Sequence, residues 1–237
     1  MSNFLHDSIK QKFSIEVDGT IMDMPYLIFA PNGYESMEAL PIVLYLHDNN
    51  EIWSDESSDI QLLQKILDDK SPCIILAPKT NQNWCDWQPA TVAIKLAKEV
   101  METYKCDVDR LYIIGVGMGA FAVYDFIGHE SDNNGIAAAV TIGGAYMFEL
   151  VENIKNVPLW VFYGASDFEP ENYSLKMIDE LNKAGGANHT STDYSNSANR
   201  ISFICNETDM VSWLLAQKRG KRSMVNSAET FREVQHT

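Results

Sequence analysis

The sequence predicts an α/β protein in which helices cover both faces of a mostly parallel central sheet. Short apolar runs rich in β-branched and aromatic residues recur along the chain, and segments with helical periodicity separate them. This alternation is typical of parallel strands joined by crossover helices. The middle runs have no polar face, as expected of strands that are buried on both sides of a sheet.

The apolar runs give the predicted strands. The clearest ones occupy residues 24–30, 42–46, 73–77, 111–114, 137–142 and 159–163. Such strands need helices on both faces of the sheet.

Segments between these runs predict the helices, at residues 59–68, 90–104, 118–128, 172–184 and 208–218. Pro89 precedes the second helix, where a missing N–H group costs least. Val92, Leu96 and Val100 then mark one buried face of that helix. Gly185 and Gly186 follow the fourth helix and are typical of a helix end.

Length and composition favour one domain. The chain has 237 residues, of which 46% are hydrophobic, enough to form one sizeable core. We assign residues 1–219 to this domain and residues 220–237 to a basic C-terminal tail, since basic residues outnumber acidic ones from Lys218 onwards. We interpret the tail as a mobile or loosely docked terminus rather than as a specific recognition segment.

The formal net charge of −15 argues against nucleic acid and anionic membranes as partners, because both would repel the protein. The four cysteines form no C-x-x-C pair, so we expect reduced thiols, no metal site and no cofactor. Neither a signal peptide nor an apolar run long enough to cross a bilayer is evident, and we therefore expect a soluble, cytoplasmic protein.

Seven short motifs stand in a specific order. They are VDG at 17–19, APNGY at 30–34, PIVLYLH at 41–47, DVDRLYIIGVGMGA at 107–120, AAAVTIGGA at 137–145, PLWVFYGASD at 158–167 and WLLAQKR at 213–219. Each motif is weak alone, but together they resemble the predicted peptidase, phospholipase and carboxylesterase group of the α/β-hydrolase superfamily. The resemblance covers about residues 13–219 and implies the α/β-hydrolase fold.

In that group the nucleophilic serine belongs to a G-x-S-x-G turn between a strand and a helix. Here the turn reads Gly115-Val116-Gly117-Met118-Gly119, so Gly117 stands at the serine position. Glycine has no side chain that could attack a carbonyl carbon. The resemblance therefore predicts that this turn carries no hydrolytic chemistry.

The resemblance also implies positions for the other two members of a catalytic triad. The acid corresponds to Asp167. The base corresponds to a loop about fifteen residues before Trp213, which is centred on Ala198 and has no histidine. His189 is the nearest histidine, but we expect it to precede the last strand and not to act as a base.

A further departure concerns the loop that should stabilise an oxyanion. The family reads H-G-x-G-E, whereas residues 47–51 read His47-Asp48-Asn49-Asn50-Glu51. With His47 and Met118, Asp48 belongs to the former oxyanion region. A carboxylate there would oppose a developing negative charge instead of stabilising it.

Other residues give weaker signals. Trp84, Trp87 and Tyr163 could line a ligand pocket, although paired tryptophans equally often cover a core. Cys85 and Cys205 have no cation or histidine nearby in sequence, so we interpret them as buried or idle thiols. We interpret the acidic residues Glu51, Asp55, Glu56 and Asp59 as a solvated face rather than as a divalent cation site.

The functional prediction is a catalytically inactive protein of the α/β-hydrolase fold, a pseudoenzyme with a degenerate triad. It would bind a small molecule or a protein partner in the former active-site cleft. The alternative is a carboxylesterase or peptidase-like hydrolase that uses a relocated nucleophile. A third reading is an interaction or scaffold subunit, which would show an apolar surface patch without an open pocket.

Overall fold

The computed structural model describes residues 9–48, 58–68, 71–129, 135–145, 147–165 and 173–219. Predictions for Asp167, for the loop residues Asn49 to Glu51, Asp55 and Glu56, and for the tail 220–237 lie outside these residues. The backbone of Trp87 is described but its side chain is not.

An eight-stranded sheet forms the centre of the protein. Its strands are β1 (Ile9–Val17), β2 (Thr20–Phe29), β3 (Ile42–Leu46), β4 (Ile74–Pro78), β5 (Leu111–Val116), β6 (Ile136–Ile142), β7 (Leu159–Tyr163) and β8 (His189–Asp193). They lie in the order β1-β2-β4-β3-β5-β6-β7-β8. Strand β2 runs antiparallel to both its neighbours, and all other adjacent pairs are parallel. The predicted mostly parallel sheet is thus confirmed.

The two edge strands, β1 and β8, were absent from the clearest predicted strands. Strand β8 reads HTSTD and has no fully buried residue, and in β1 only Phe13 and Val17 are buried among the residues whose side chains are described. An edge strand packs less of its surface than a central one, so it carries no continuous apolar run. Strands β3 and β7 match their predicted bounds because they are central and buried.

Seven helices connect or flank the described strands. They are α1 (Ser58–Leu67), α2 (Trp87–Thr103), α3 (Met118–His129), α4 (Val151–Ile154), α5 (Tyr173–Lys183), α6 (Arg200–Glu207) and α7 (Met210–Ala216). The sequence did not predict α4 or α6, and the last predicted helix is shorter than expected. Helix α2 begins three residues before its predicted start, so Pro89 lies in the first turn, where N–H groups have no partner within the helix.

The core consists of two apolar layers, one on each face of the sheet. Alternate residues of β3 divide between them, with Leu44 in one layer and Val43 in the other. Helices α2, α3 and α5 cover the first layer, and α1, α6 and α7 cover the second. This confirms the predicted coverage of both faces. Among the described helices, none has both the length and the apolar character needed to cross a membrane.

Candidate functional site

The turn between β5 and α3 forms a sharp elbow at the carboxyl end of the sheet. Strand β5 ends at Val116 and helix α3 begins at Met118, so Gly117 alone connects them. Gly117 has φ +51°, a left-handed conformation that glycine adopts without strain. Its N–H group donates to the carbonyl oxygen of Ile142 in β6 at 2.9 Å, which holds the elbow against the neighbouring strand.

Two other glycines of the elbow are required by packing. A Cβ atom on Gly119 would overlap the backbone carbonyl of Leu46 in β3, and one on Gly115 would overlap the backbone of Gly119. Helix α3 therefore approaches the sheet more closely than a side chain would permit. Close packing therefore requires these glycines whether or not the elbow takes part in catalysis.

Asp48 occupies the space above Gly117. A Cβ atom built on Gly117 would overlap the carbon and both oxygens of the Asp48 carboxylate. Oδ1 of this carboxylate accepts a hydrogen bond from the N–H group of Met118 at 3.1 Å. The backbone donor that follows the elbow residue therefore binds an anion that belongs to the chain itself.

Arg200 completes this arrangement from the other side. Its Nη2 donates a hydrogen bond to Oδ2 of Asp48 at 2.9 Å. The Arg200 side chain is 32% exposed and the Asp48 side chain 28%. Burial alone would lower the pKa of Arg200, but its hydrogen bonds to Asp48 and Tyr194 and the charge of Asp48 raise the pKa above its ordinary value. The guanidinium is therefore permanently charged and cannot accept a proton.

Arg200 is a site residue that the sequence alone did not reveal. The sequence feature that could have revealed it is its position, because Arg200 follows by two residues the position at which the resemblance places a base, Ala198. Ala198 itself lies in the loop between β8 and α6, and its methyl group cannot accept a proton. Asn199 caps α6 by accepting a hydrogen bond from the Ser202 N–H group at 2.9 Å. Arg200, the first residue of this helix, is thereby placed to contact Asp48.

His47 is buried beneath the site, with 2% of its surface exposed. Its Nε2 accepts a hydrogen bond from the Thr80 N–H group at 3.3 Å, so Nδ1 carries the proton that is donated to the carbonyl oxygen of Asp48. Burial lowers the pKa of His47, although the bond to the Asp48 carbonyl acts in the opposite direction. His47 is thus a neutral residue that fixes the backbone of the loop.

A pocket of about 250 Å³ opens beside Asp48. Trp84 lines it and packs edge-on against His47 at 5.3 Å between ring centroids. Trp84 is 2% exposed, and its Nε1 has no hydrogen-bond partner among the described residues. That Trp84 lines a ligand pocket stays a prediction. Tyr163 lies at the end of β7 and is not among the residues that line this pocket.

A larger depression of about 660 Å³ adjoins the pocket and shares Thr80, Asn81 and Gln82 with it. Its other wall is the first part of β2, from Thr20 to Pro25. The cleft therefore extends from the elbow towards the β2 side of the sheet.

Asp59 is one of the acidic residues interpreted as a solvated face, and for this residue the interpretation is wrong. It lies in the first turn of α1 with 2% of its surface exposed. It faces Tyr45, whose pKa is raised well above its ordinary value by burial and by the Asp59 carboxylate. The sequence could not reveal this burial, because Asp59 follows a run of polar residues and its apolar neighbours come from β3.

The remaining candidate groups are poorly suited to catalysis. Cys85 is exposed and Cys205 is buried, and neither forms a disulfide. Burial raises the pKa of both thiols, which disfavours the reactive thiolate. His189 begins β8, at the end of the sheet opposite to the elbow. No group of three or more potential metal ligands occurs within the part of the chain that the structure describes.

Comparison with known proteins identifies the fold. No protein-family model matches the chain, and no curated protein matches it. Among solved structures, a thermostable esterase is 24% identical with a TM-score of 0.73, and the match covers 92% of this chain and 64% of the esterase. This chain thus spans less than two thirds of that esterase.

Two further esterase structures match over more of their own length. One of two fungal esterases from Rhizomucor miehei is 14% identical with a TM-score of 0.61, covering 87% of this chain and 83% of that one. A putative carboxylesterase from Lactobacillus plantarum is 10% identical with a TM-score of 0.61, covering 87% and 96%. At these identities the likeness establishes the α/β-hydrolase fold.

Proposed function

We propose that this protein is a non-catalytic member of the α/β-hydrolase fold that uses the cleft beside the elbow to bind a small molecule or a protein partner. One observation carries the proposal, namely that the Asp48 carboxylate fills the space in which a side chain on residue 117 would stand. A nucleophile at the elbow would need a side chain, which Gly117 lacks, and the Asp48 carboxylate would have to move to make room for it.

The environment of an incoming carbonyl group also supports this proposal. Hydrolysis of an ester generates negative charge on the carbonyl oxygen, which backbone N–H groups usually stabilise. The Met118 N–H group already donates to Asp48, and the carboxylate would repel the developing charge. Asp48 therefore removes a donor and adds an opposing charge.

The described part of the site also offers no histidine placed to act as a general base. His47 is neutral, but both of its ring nitrogens already make hydrogen bonds to the backbone. Arg200 stands beside the position of the predicted base and holds its proton throughout the physiological pH range. The pair of Asp48 and Arg200 is therefore suited to holding the loop and helix together, and not to moving a proton.

A hydrolase with a relocated nucleophile is the second candidate. Its support is the structural likeness to esterases, and taken alone the comparisons favour this candidate over the non-catalytic one. Cys85 is the exposed thiol of the chain, but burial and the nearby carboxylates of Asp86 and Asp125 raise its pKa. Any such nucleophile would have to act without the elbow.

Turnover of p-nitrophenyl acetate at high protein concentration distinguishes the non-catalytic protein from the hydrolase with a relocated nucleophile. The matched control is the same protein unfolded in urea, since it presents the same reactive groups without a site. We expect the folded protein to be no faster than the unfolded one. A faster rate in the folded protein that disappears after one substitution, such as Cys85→Ser, would establish the hydrolase candidate instead.

Mass spectrometry after treatment with a fluorophosphonate probe provides an independent readout. This reagent modifies activated serine hydroxyl groups, so a non-catalytic protein should keep its original mass. An adduct would contradict the proposal, and peptide mapping would then identify the relocated nucleophile.

A further inference from the structure

We infer that the pocket beside Asp48 binds a small uncharged molecule with several hydroxyl groups, such as a monosaccharide or a polyol, and that Asp48 excludes carboxylate ligands. This inference rests on the proposed function, because it assigns a ligand class to the same cleft. The volume of about 250 Å³ is smaller than that of pockets for drug-sized molecules, which are about 300–1,000 Å³. A ligand held within the pocket beside Asp48 alone is therefore small.

The first reason for an uncharged ligand is the charge in the wall of the pocket. Both oxygens of the Asp48 carboxylate have donors, Oδ1 from the Met118 N–H group and Oδ2 from Arg200. A ligand carboxylate would find these two donors occupied and would meet the like charge of Asp48. A ligand cation would gain little, because Arg200 already balances Asp48.

The second reason, which favours a ligand with hydroxyl groups, is the composition of the pocket rim. It carries four neutral polar side chains in succession, which are Thr80, Asn81, Gln82 and Asn83. Hydroxyl and carboxamide groups both donate and accept hydrogen bonds, as ligand hydroxyl groups also do. Asn83 Oδ1 accepts from the Cys85 N–H group at 3.0 Å, which fixes this side chain to its own loop. The rim thus matches a polyhydroxylated ligand better than an apolar one.

The third reason for a ligand with hydroxyl groups is the side chain of Trp84. Trp84 lines the pocket, and its buried Nε1 is a donor that has no acceptor among the described residues. A buried donor without an acceptor destabilises a protein, so an acceptor oxygen brought by a ligand would be favoured there. Hydroxyl oxygens provide such acceptors, whereas a hydrocarbon ligand would leave the donor unsatisfied.

Two-dimensional ¹H–¹⁵N NMR spectra of the Trp84 indole group test the inference on the full chain. The Trp84→Phe variant assigns the signal by its absence. The protein is titrated separately with D-glucose, glycerol and sodium acetate, at ionic strength matched with sodium chloride. We expect a saturable shift of the Trp84 signal with glucose or glycerol at millimolar concentrations and none with acetate. No shift with either hydroxylated probe, or an equal shift with acetate, would overturn the inference.

Two variants test the role of Asp48 separately. Asp48→Ala frees the Met118 N–H group and Arg200, so acetate should bind at least about tenfold more tightly than to the wild-type protein, as expected for new charge-assisted hydrogen bonds. Asp48→Asn keeps the side chain in place and should give a smaller gain. Acetate affinity unchanged in folded Asp48→Ala would contradict the exclusion role.

If Asp48→Ala does not fold, the comparison of glucose, glycerol and acetate on the wild-type protein still decides the ligand class. Failure of this titration is distinguishable from failure of the proposed function, because ester turnover is measured in a separate assay.

Discussion

The carboxylate of Asp48 and the guanidinium of Arg200 form a hydrogen-bonded ion pair at 2.9 Å across 152 positions of the chain. The pair joins the loop after β3 to the first residue of α6, directly above the elbow residue Gly117. Because Met118 also donates to Asp48, three separate segments meet at one carboxylate. The Asp48–Arg200 ion pair therefore both neutralises the charge in the site and connects distant segments of the fold.

Removal of Arg200 should therefore destabilise the protein. In the Arg200→Ala variant the Asp48 charge remains without its cation, and we expect a loss of about 1–2 kcal/mol in the free energy of unfolding, less than for a fully buried pair because both side chains are partly exposed. Urea denaturation measures this loss. Lys12→Ala removes an exposed ion pair with Asp23 and is the matched control, which should cost clearly less. Equal losses would contradict the assigned role of Arg200.

Introduction of a hydroxyl group at the elbow should not create an esterase. In Gly117→Ser the new side chain would overlap the Asp48 carboxylate and would require φ +51° from a non-glycine residue. We expect a loss of about 2 kcal/mol in stability and no gain in ester turnover.

A double-mutant cycle with Asp48→Gly isolates this overlap. Because Asp48→Gly removes the obstructing carboxylate, Gly117→Ser should cost less in that background than in the wild-type protein. Identical costs in the two backgrounds would show that backbone strain, and not Asp48, governs the substitution.

The stability of the protein should decrease in mild acid because of His47. Burial lowers the pKa of His47 in the folded state, so the unfolded chain binds this proton first as the pH falls below about 6.5. Stability is then lost between that value and the lowered pKa of the folded state, by at most about 1.4 kcal/mol per pH unit. The His47→Asn variant should have a shallower dependence, measured by urea denaturation between neutral and mildly acidic pH. A His47→Asn variant with the same pH dependence as the wild-type protein would count against His47.

Close packing at the elbow should make Gly119 sensitive to the smallest substitution. In Gly119→Ala the added methyl group would overlap the carbonyl group of Leu46, and we expect a loss of about 2–4 kcal/mol. Gly19→Ala is the control, because Gly19 has φ +75° but open space around it, so only backbone strain of about 1 kcal/mol should appear. Thermal or urea denaturation compares the two variants. A Gly119→Ala variant as stable as Gly19→Ala would mean that α3 can move away from the sheet.

The sequence by itself determined the fold class and the central elements. Strands β3 and β7 were predicted with their observed bounds, because a strand buried on both faces must be apolar throughout and this pattern is local. The resemblance of residues 115–119 to the G-x-S-x-G turn located the elbow around Gly117. The resemblance of residues 47–51 to the H-G-x-G-E loop likewise placed Asp48 next to the site as an acceptor.

Only the tertiary structure determined which residues meet at the site. Strand β8 and helix α6 had weak patterns, the first because it is an exposed edge and the second because it has only eight residues. Without α6, nothing in the sequence connected Arg200 with Asp48, and the burial of Asp59 against Tyr45 was hidden for the same reason. A local pattern reports how one segment is buried, whereas a contact between distant residues depends on the packing of the whole sheet and its helices.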